Sequence, residues 1–176
     1  MIPPKEDLHE LGYITKLHGY KGELTAFIDT SDLSNYEEIE TVFLEVKGQL
    51  IPYFVELYEP KTNNTVKIRL EGIDNEALAK TLVKSKIFIL KEEISQEDEE
   101  RIELRSIIGF AVIDAKKGEI GTVDEILELS GNPQIQIAFK GKKILLPLQS
   151  DFITQLDQKK KILYTDAPEG LIDLYL

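Results

Sequence analysis

GYITKLHGYKGELTAFIDTSD, residues 12–32, alternates apolar and polar side chains on both sides of a segment bracketed by Gly19 and Gly22. Successive strand residues face opposite sides of a sheet, so this period predicts two half-buried strands joined by a tight reversal. The first strand begins upstream, in HELGYITKLHG, and the second covers GELTAFID. Asp32, after Thr30 and Ser31, is placed to end the second strand by bonding its own backbone.

The same signal recurs downstream. VFLEVKGQLIPYFVELYE (42–59) predicts a second strand pair with Gly48 and Gln49 at the reversal, and TVKIRLEG (65–72) a further strand after a TNN turn. DNEALAKTLVKS (74–85) predicts a helix capped by Asp74, with Ala77, Leu78 and Leu82 on one face, before KIFIL returns to strand. EEISQEDEER (92–101) carries one apolar residue among mostly like charges, which predicts a solvated acidic spacer. Beyond it, IIGFAVIDAKKGEIGTVDEILEL reads as two strands around a Lys-Lys-Gly turn, and GNPQ (131–134) opens the next hairpin. QIQIAF, KILLPL and KILYTD follow as short strands, with a brief helical turn expected at SDFITQL. Many short strands between turn signals predict a mainly β protein of two small barrels, at 1–91 and 104–176, joined by an acidic linker at 92–103. The apolar end LIDLYL is expected to dock on the body or on a partner.

The chain has 176 residues, 42% hydrophobic and 30% charged, with no apolar run near the roughly 20 residues of a membrane helix. MIPPKEDLHE lacks the cationic patch and apolar stretch of a signal peptide, and Cys 0 fits a reducing compartment, so a cytoplasmic location is expected. The net charge of −11 argues against a protein that grips nucleic acid with its whole surface. Residues 1–90 carry 10 basic and 15 acidic side chains, 91–103 carry 2 and 7, and 104–176 carry 9 and 10. Local lysine clusters at 140–143 and 159–161 therefore leave limited phosphate contacts open.

No phosphate-binding loop occurs: GYKGE places its lysine before the second glycine and follows it with a glutamate that repels phosphate. No G-x-S-x-G elbow is present, and His9 and His18 are the two histidines. His18 is a turn residue, a partner contact or, least favoured, a catalytic base. Without cysteine or a histidine pair no metal site is expected, and no cofactor either. Asn63-Asn64-Thr65 reads as a polar turn, and Lys140, Lys142 and Lys143 as a solubilising hairpin tip.

GYITKLHGYKGELTAFIDTSD resembles the opening signature of the RimM ribosome maturation factor family: a glycine (Gly12), an alternating strand, His-Gly-x-Lys/Arg-Gly-Glu, and a second strand. IIGFAVID with Gly109, GEIGTVDEILE, and ILLPLQSDFITQLDQKKKILYTDAPEGL with Pro147 and Gly170 resemble that family's C-terminal PRC-barrel. The resemblance covers nearly the whole chain. It implies an N-terminal barrel similar to those of translation factors and a PRC-barrel, in a non-enzymatic assembly factor for the head of the small ribosomal subunit. Implied partners are small-subunit ribosomal protein nineteen, the immature small subunit and its rRNA, with no membrane involved and the protein a monomer. Carried onto this chain, the motif implies that Gly19 and Gly22 permit the reversal while His18, Tyr20 and Lys21 stand at its tip. Glu23 would bond the turn's amides or pair with a partner's base.

The family commonly has adjacent tyrosines, often followed by tryptophan, at the entry to its second domain, where this chain has Ile102, Glu103 and Leu104. Arg101 and Arg105 are then the expected contacts of that segment. Two other classes stay open at this stage. One is an adaptor whose PRC-barrel binds another protein complex. The other is a hydrolase or transferase using His18 with Glu23 or Asp32.

Overall fold

In the computed structural model, which describes residues 2–127, 132–149 and 151–176, the chain divides into two compact units, one running to Glu99 and one starting at Glu100. The first is a closed barrel of β1 (Leu8–Leu17), β2 (Leu24–Ile28), β3 (Thr41–Val46), β4 (Gln49–Pro60), β5 (Thr65–Leu70) and β6 (Lys86–Leu90). Their order is β1-β2-β5-β4-β3-β6, and every pair is antiparallel. The opening stretch forms the expected hairpin, with Leu17 opposite Leu24 and Tyr13 opposite Phe27. Alternation sends Leu11, Ile14, Leu24, Ala26 and Ile28 inward, where they meet Leu44, Val66, Ile68 and Ile87 from the other strands. Burying each large aliphatic side chain contributes roughly 1.5–3 kcal/mol before conformational entropy is subtracted.

Helix α1 (Glu76–Leu82) covers this core with a face different from the expected one. Asn75, not Asp74, caps it by accepting from the Leu78 amide at 3.0 Å. Ala79 and Leu82 are buried while Ala77 and Leu78 face solvent. The chain enters through buried Ile73, and in so short a helix that entry point sets the rotation.

The acidic stretch read as a solvated spacer is largely helical, for α2 spans Gln96–Arg105. Its first turn also contributes a buried carboxylate to the first unit. Asp98 is 1% exposed and accepts hydrogen bonds from Thr30 Oγ1 (2.6 Å), the Ser31 amide (2.9 Å) and the Tyr36 hydroxyl (2.8 Å). A carboxylate can be buried without apolar neighbours in sequence when enough donors converge on it.

The second unit is a barrel-like sheet of β7 (Ala111–Asp114), β8 (Gly118–Leu127), β9 (Gln134–Phe139), β10 (Lys142–Pro147), β11 (Ile153–Asp157) and β12 (Ile162–Thr165). Their order is β10-β9-β8-β7-β12-β11, with β12 and β7 parallel and the other pairs antiparallel. The core holds Ile107, Phe110, Val112, Ile120, Ile135, Ile137, Ile144 and Leu163. The helical turn expected at SDFITQL is strand β11 from Ile153 onward, and Ser150 lies outside the described residues. Five residues cannot distinguish a period of 2 from one of 3.6, and pairing with β12 decides the matter. Of GNPQ, Gly131 also lies outside the described residues.

The LIDLYL end docks on its own unit: Ile172 is 2% exposed, and Leu171 and Tyr175 pack against the core. Asp114 organises the neighbouring turns. Its carboxylate accepts from the Lys116 and Lys117 amides at 3.0 and 3.1 Å, from the Thr165 hydroxyl at 3.2 Å, and from the Ala167 amide at 2.9 Å.

Candidate partner-binding site

Four of the residues singled out by sequence, His18, Tyr20, Lys21 and Glu23, share the loop between β1 and β2. The His18 amide donates to the Glu23 carbonyl at 2.8 Å and closes this loop at its base. Tyr20 is 86% exposed at the tip, with Lys21 exposed beside it. Gly22 is the fixed point. It has φ +82°, and a Cβ there would lie 1.9 Å from the Ile73 carbonyl oxygen, just before α1. Only glycine permits both that torsion and that approach. Gly12 is needed for approach alone, since a Cβ there would stand 1.9 Å from the Phe27 carbonyl oxygen on β2.

Glu23 turns away from the tip. Its carboxylate lies 3.2 Å from Lys67 Nζ and 3.7 Å from Arg69 Nη1, both on β5. Arg69 Nε in turn donates to Glu56 on β4 at 3.0 Å. The Glu23 and Lys67 side chains are only 16% and 20% exposed, so the pair holds the returning strand to its neighbour. His18 Nδ1 lies 3.5 Å from Thr25 Oγ1. Glu59 is held below the ordinary carboxylate range by its hydrogen bond to Lys61, with smaller contributions from Lys67 and His18. The sequence pointed to the loop and missed Lys67 and Arg69, which arrive from β5 more than forty residues later.

Asp32 does not end β2, which stops at Ile28; it caps the 3-10 turn Leu33–Tyr36, accepting from the Ser34 amide (2.9 Å) and the Ser34 hydroxyl (2.8 Å). These bonds lower its pKa below the usual value. Among the described residues neither Glu23 nor Asp32 hydrogen-bonds to His18, which is exposed. The histidine–carboxylate pair that a hydrolase or transferase reading would use is therefore not brought together in this loop. No group of three or more His, Cys, Asp or Glu able to hold a metal occurs among the described residues.

In the second unit, Arg101 is half-buried and Arg105 exposed on α2. Gly109 follows with φ +88°, its amide donating to the Val123 carbonyl at 2.8 Å. Pro147 closes β10 opposite Gln134, and Gly170, also at positive φ, turns the chain into the docked end.

A closed six-stranded barrel followed by a barrel-like sheet defines a two-domain, mainly β protein. Comparison with known sequences identifies the kind. Residues 9–94 match the RimM N-terminal domain and residues 104–171 the RimM PRC barrel domain. The chain is 31% identical over 172 residues to the ribosome maturation factor RimM of Christiangramia forsetii, covering 98% of each chain. To that of Parabacteroides distasonis it is 32% identical over 171 residues, covering 97% of this chain and 98% of the other. To that of Flavobacterium psychrophilum it is 29% identical over 172 residues, covering 98% and 99%. The chain belongs to the RimM family.

Proposed function

We propose that this protein is a non-enzymatic factor for ribosome maturation that binds the immature small subunit and its rRNA in the cytoplasm. It acts there as a monomer, holding small-subunit ribosomal protein nineteen and nearby RNA in a productive geometry while the head matures. The observation that supports this reading best is the presence of both family domains, in order, over residues 9–171, in relatives that match this chain from end to end. The net charge of −11 suits a basic protein partner. The exposed Tyr20 and Lys21, with His18 beside them, supply a local aromatic and cationic tip for contact with RNA or protein. Arg101 and Arg105 provide contacts on the segment where the family's tyrosines would stand. A maturation factor must favour the immature state over the finished one, so its work is differential binding.

The test is titration calorimetry of the purified chain against ribosomal protein nineteen at two salt concentrations, with co-sedimentation on small-subunit precursors alongside. Saturable binding that weakens with salt, and sedimentation with precursors but not mature subunits, are expected. Failure to sediment with precursors removes the proposal.

A further inference from the structure

Within the second unit a strand edge with no partner strand among the described residues lies beside an open apolar groove. β11 bonds to β12 on one side and is the end strand of the six-stranded sheet on the other. The groove, of about 440 Å³, has apolar walls formed by Leu104, Ile107, Leu148, Ile153, Leu156 and Leu163. Ile153 and Leu156 belong to β11 itself, and Leu156 is 41% exposed. The charged side chains lining the groove are Glu100 and Glu103, both acidic.

The opposite edge of the sheet carries lysines and a proline that this one lacks, although β11 is short and has a register irregularity between Ile153 and Gln155. β10 opens on Lys142-Lys143 and ends on Pro147, and lysines and prolines on an edge discourage a further strand from adding. β11, with the sequence ITQLD, has neither. An open edge carries unpaired main-chain donors and acceptors, which an extended peptide satisfies as an added strand, with alternate side chains reaching the neighbouring pocket.

We propose that the β11 edge and its groove take up an extended peptide segment as an added strand. An aliphatic side chain of that segment fills the groove, and a lysine or arginine faces Glu103. The inference rests on the assembly reading in taking the segment from a protein of the maturing subunit. The acidic wall favours a basic segment and repels the phosphates of an RNA strand. Lys160, in the turn after β11, lies 3.9 Å from Asp157 in an ion pair.

The test uses the full-length chain and immature small-subunit particles. Wild type, Leu156→Asp and Glu103→Lys are co-sedimented with particles, after circular dichroism shows that the variants fold as wild type does. Amide exchange over 153–157 is read on the wild-type complex, and a photo-crosslinker at position 156 reports what lies there. Expected are slower exchange across β11 on binding, a crosslink to protein, and binding weakened about tenfold or more by Leu156→Asp and by a smaller factor by Glu103→Lys. Wild type that sediments with unchanged β11 exchange, or with a crosslink to RNA, overturns the strand-addition site and leaves the assembly reading standing. Wild type that does not sediment removes the assembly reading and this inference with it.

Discussion

Asp98 shows how one side chain changes the meaning of a segment. Its carboxylate collects donors from Thr30, Ser31 and Tyr36, and both Thr30 and Tyr36 are 2% exposed. Burial first, and then the hydrogen bond to Asp98, raise the pKa of the Tyr36 hydroxyl above its ordinary value. Replacing Asp98 by alanine strands those donors without water, so the first unit should lose about 3 kcal/mol. Denaturant unfolding followed by circular dichroism measures it, and a loss below about 0.5 kcal/mol, the range of an ordinary surface substitution, would contradict the network. Nothing in EEISQEDEER singles out this carboxylate, because its partners lie more than sixty residues away. Asp114 makes a similar case with a pH signature. Burial raises its pKa, but amides of Ala167, Lys116 and Lys117 and the Thr165 hydroxyl outweigh that and hold it below 3.8. A folded pKa below the unfolded one stabilises above the unfolded value and loses that contribution as pH falls through the folded one. Thermal unfolding of wild type and Asp114→Asn should therefore differ above pH 4 and converge in more acidic solution; a constant gap would rule out this linkage.

At the scale of elements, the hairpins were legible because alternation and turn residues agree locally. β1 with β2 and β3 with β4 needed no long-range information, and the apolar character of LIDLYL announced its docking. Helices and the short strand β11 were less legible. The rotation of α1 depends on where Ile73 enters the core, the length of α2 depends on contacts outside its own sequence, and β11 depends on β12. The candidate site divides the same way: the loop was visible in HGYKGE, whereas the pairing of Glu23 with Lys67 and Arg69 required the β2–β5 register. Gly22 ties this loop to the start of α1, so Gly22→Ala must move either the loop or the turn at Ile73. Such a strained site costs about 1–3 kcal/mol, and the disturbance should spread in both directions along the chain. Amide exchange is the measurement: faster exchange in both 18–23 and 73–78 is expected, and a change confined to the loop would mean that the close approach relaxes at no cost to α1.

Across the whole molecule the negative charge is concentrated rather than spread. Residues 91–103 hold 7 acids against 2 bases, while 104–176 hold 10 against 9. Of those acids Asp98 is buried and Glu93 accepts from the Leu90 amide at 2.9 Å, but Glu92 and Glu99 face solvent. Such a patch can steer a basic partner from a distance, and a field of this kind acts on association more than on dissociation. The Debye length shrinks from about 10 Å at 0.1 M salt to about 3 Å at 1 M, so steering fades well before short-range contacts do. With ribosomal protein nineteen as the proposed partner, the double variant Glu92→Lys, Glu99→Lys should therefore lower the association rate by about tenfold at low salt, leave dissociation within about twofold, and lose most of the salt dependence. Stopped-flow kinetics at several salt concentrations would measure this. A fall carried by dissociation instead would place these two carboxylates in direct contact with the partner, making the acidic segment part of the interface itself.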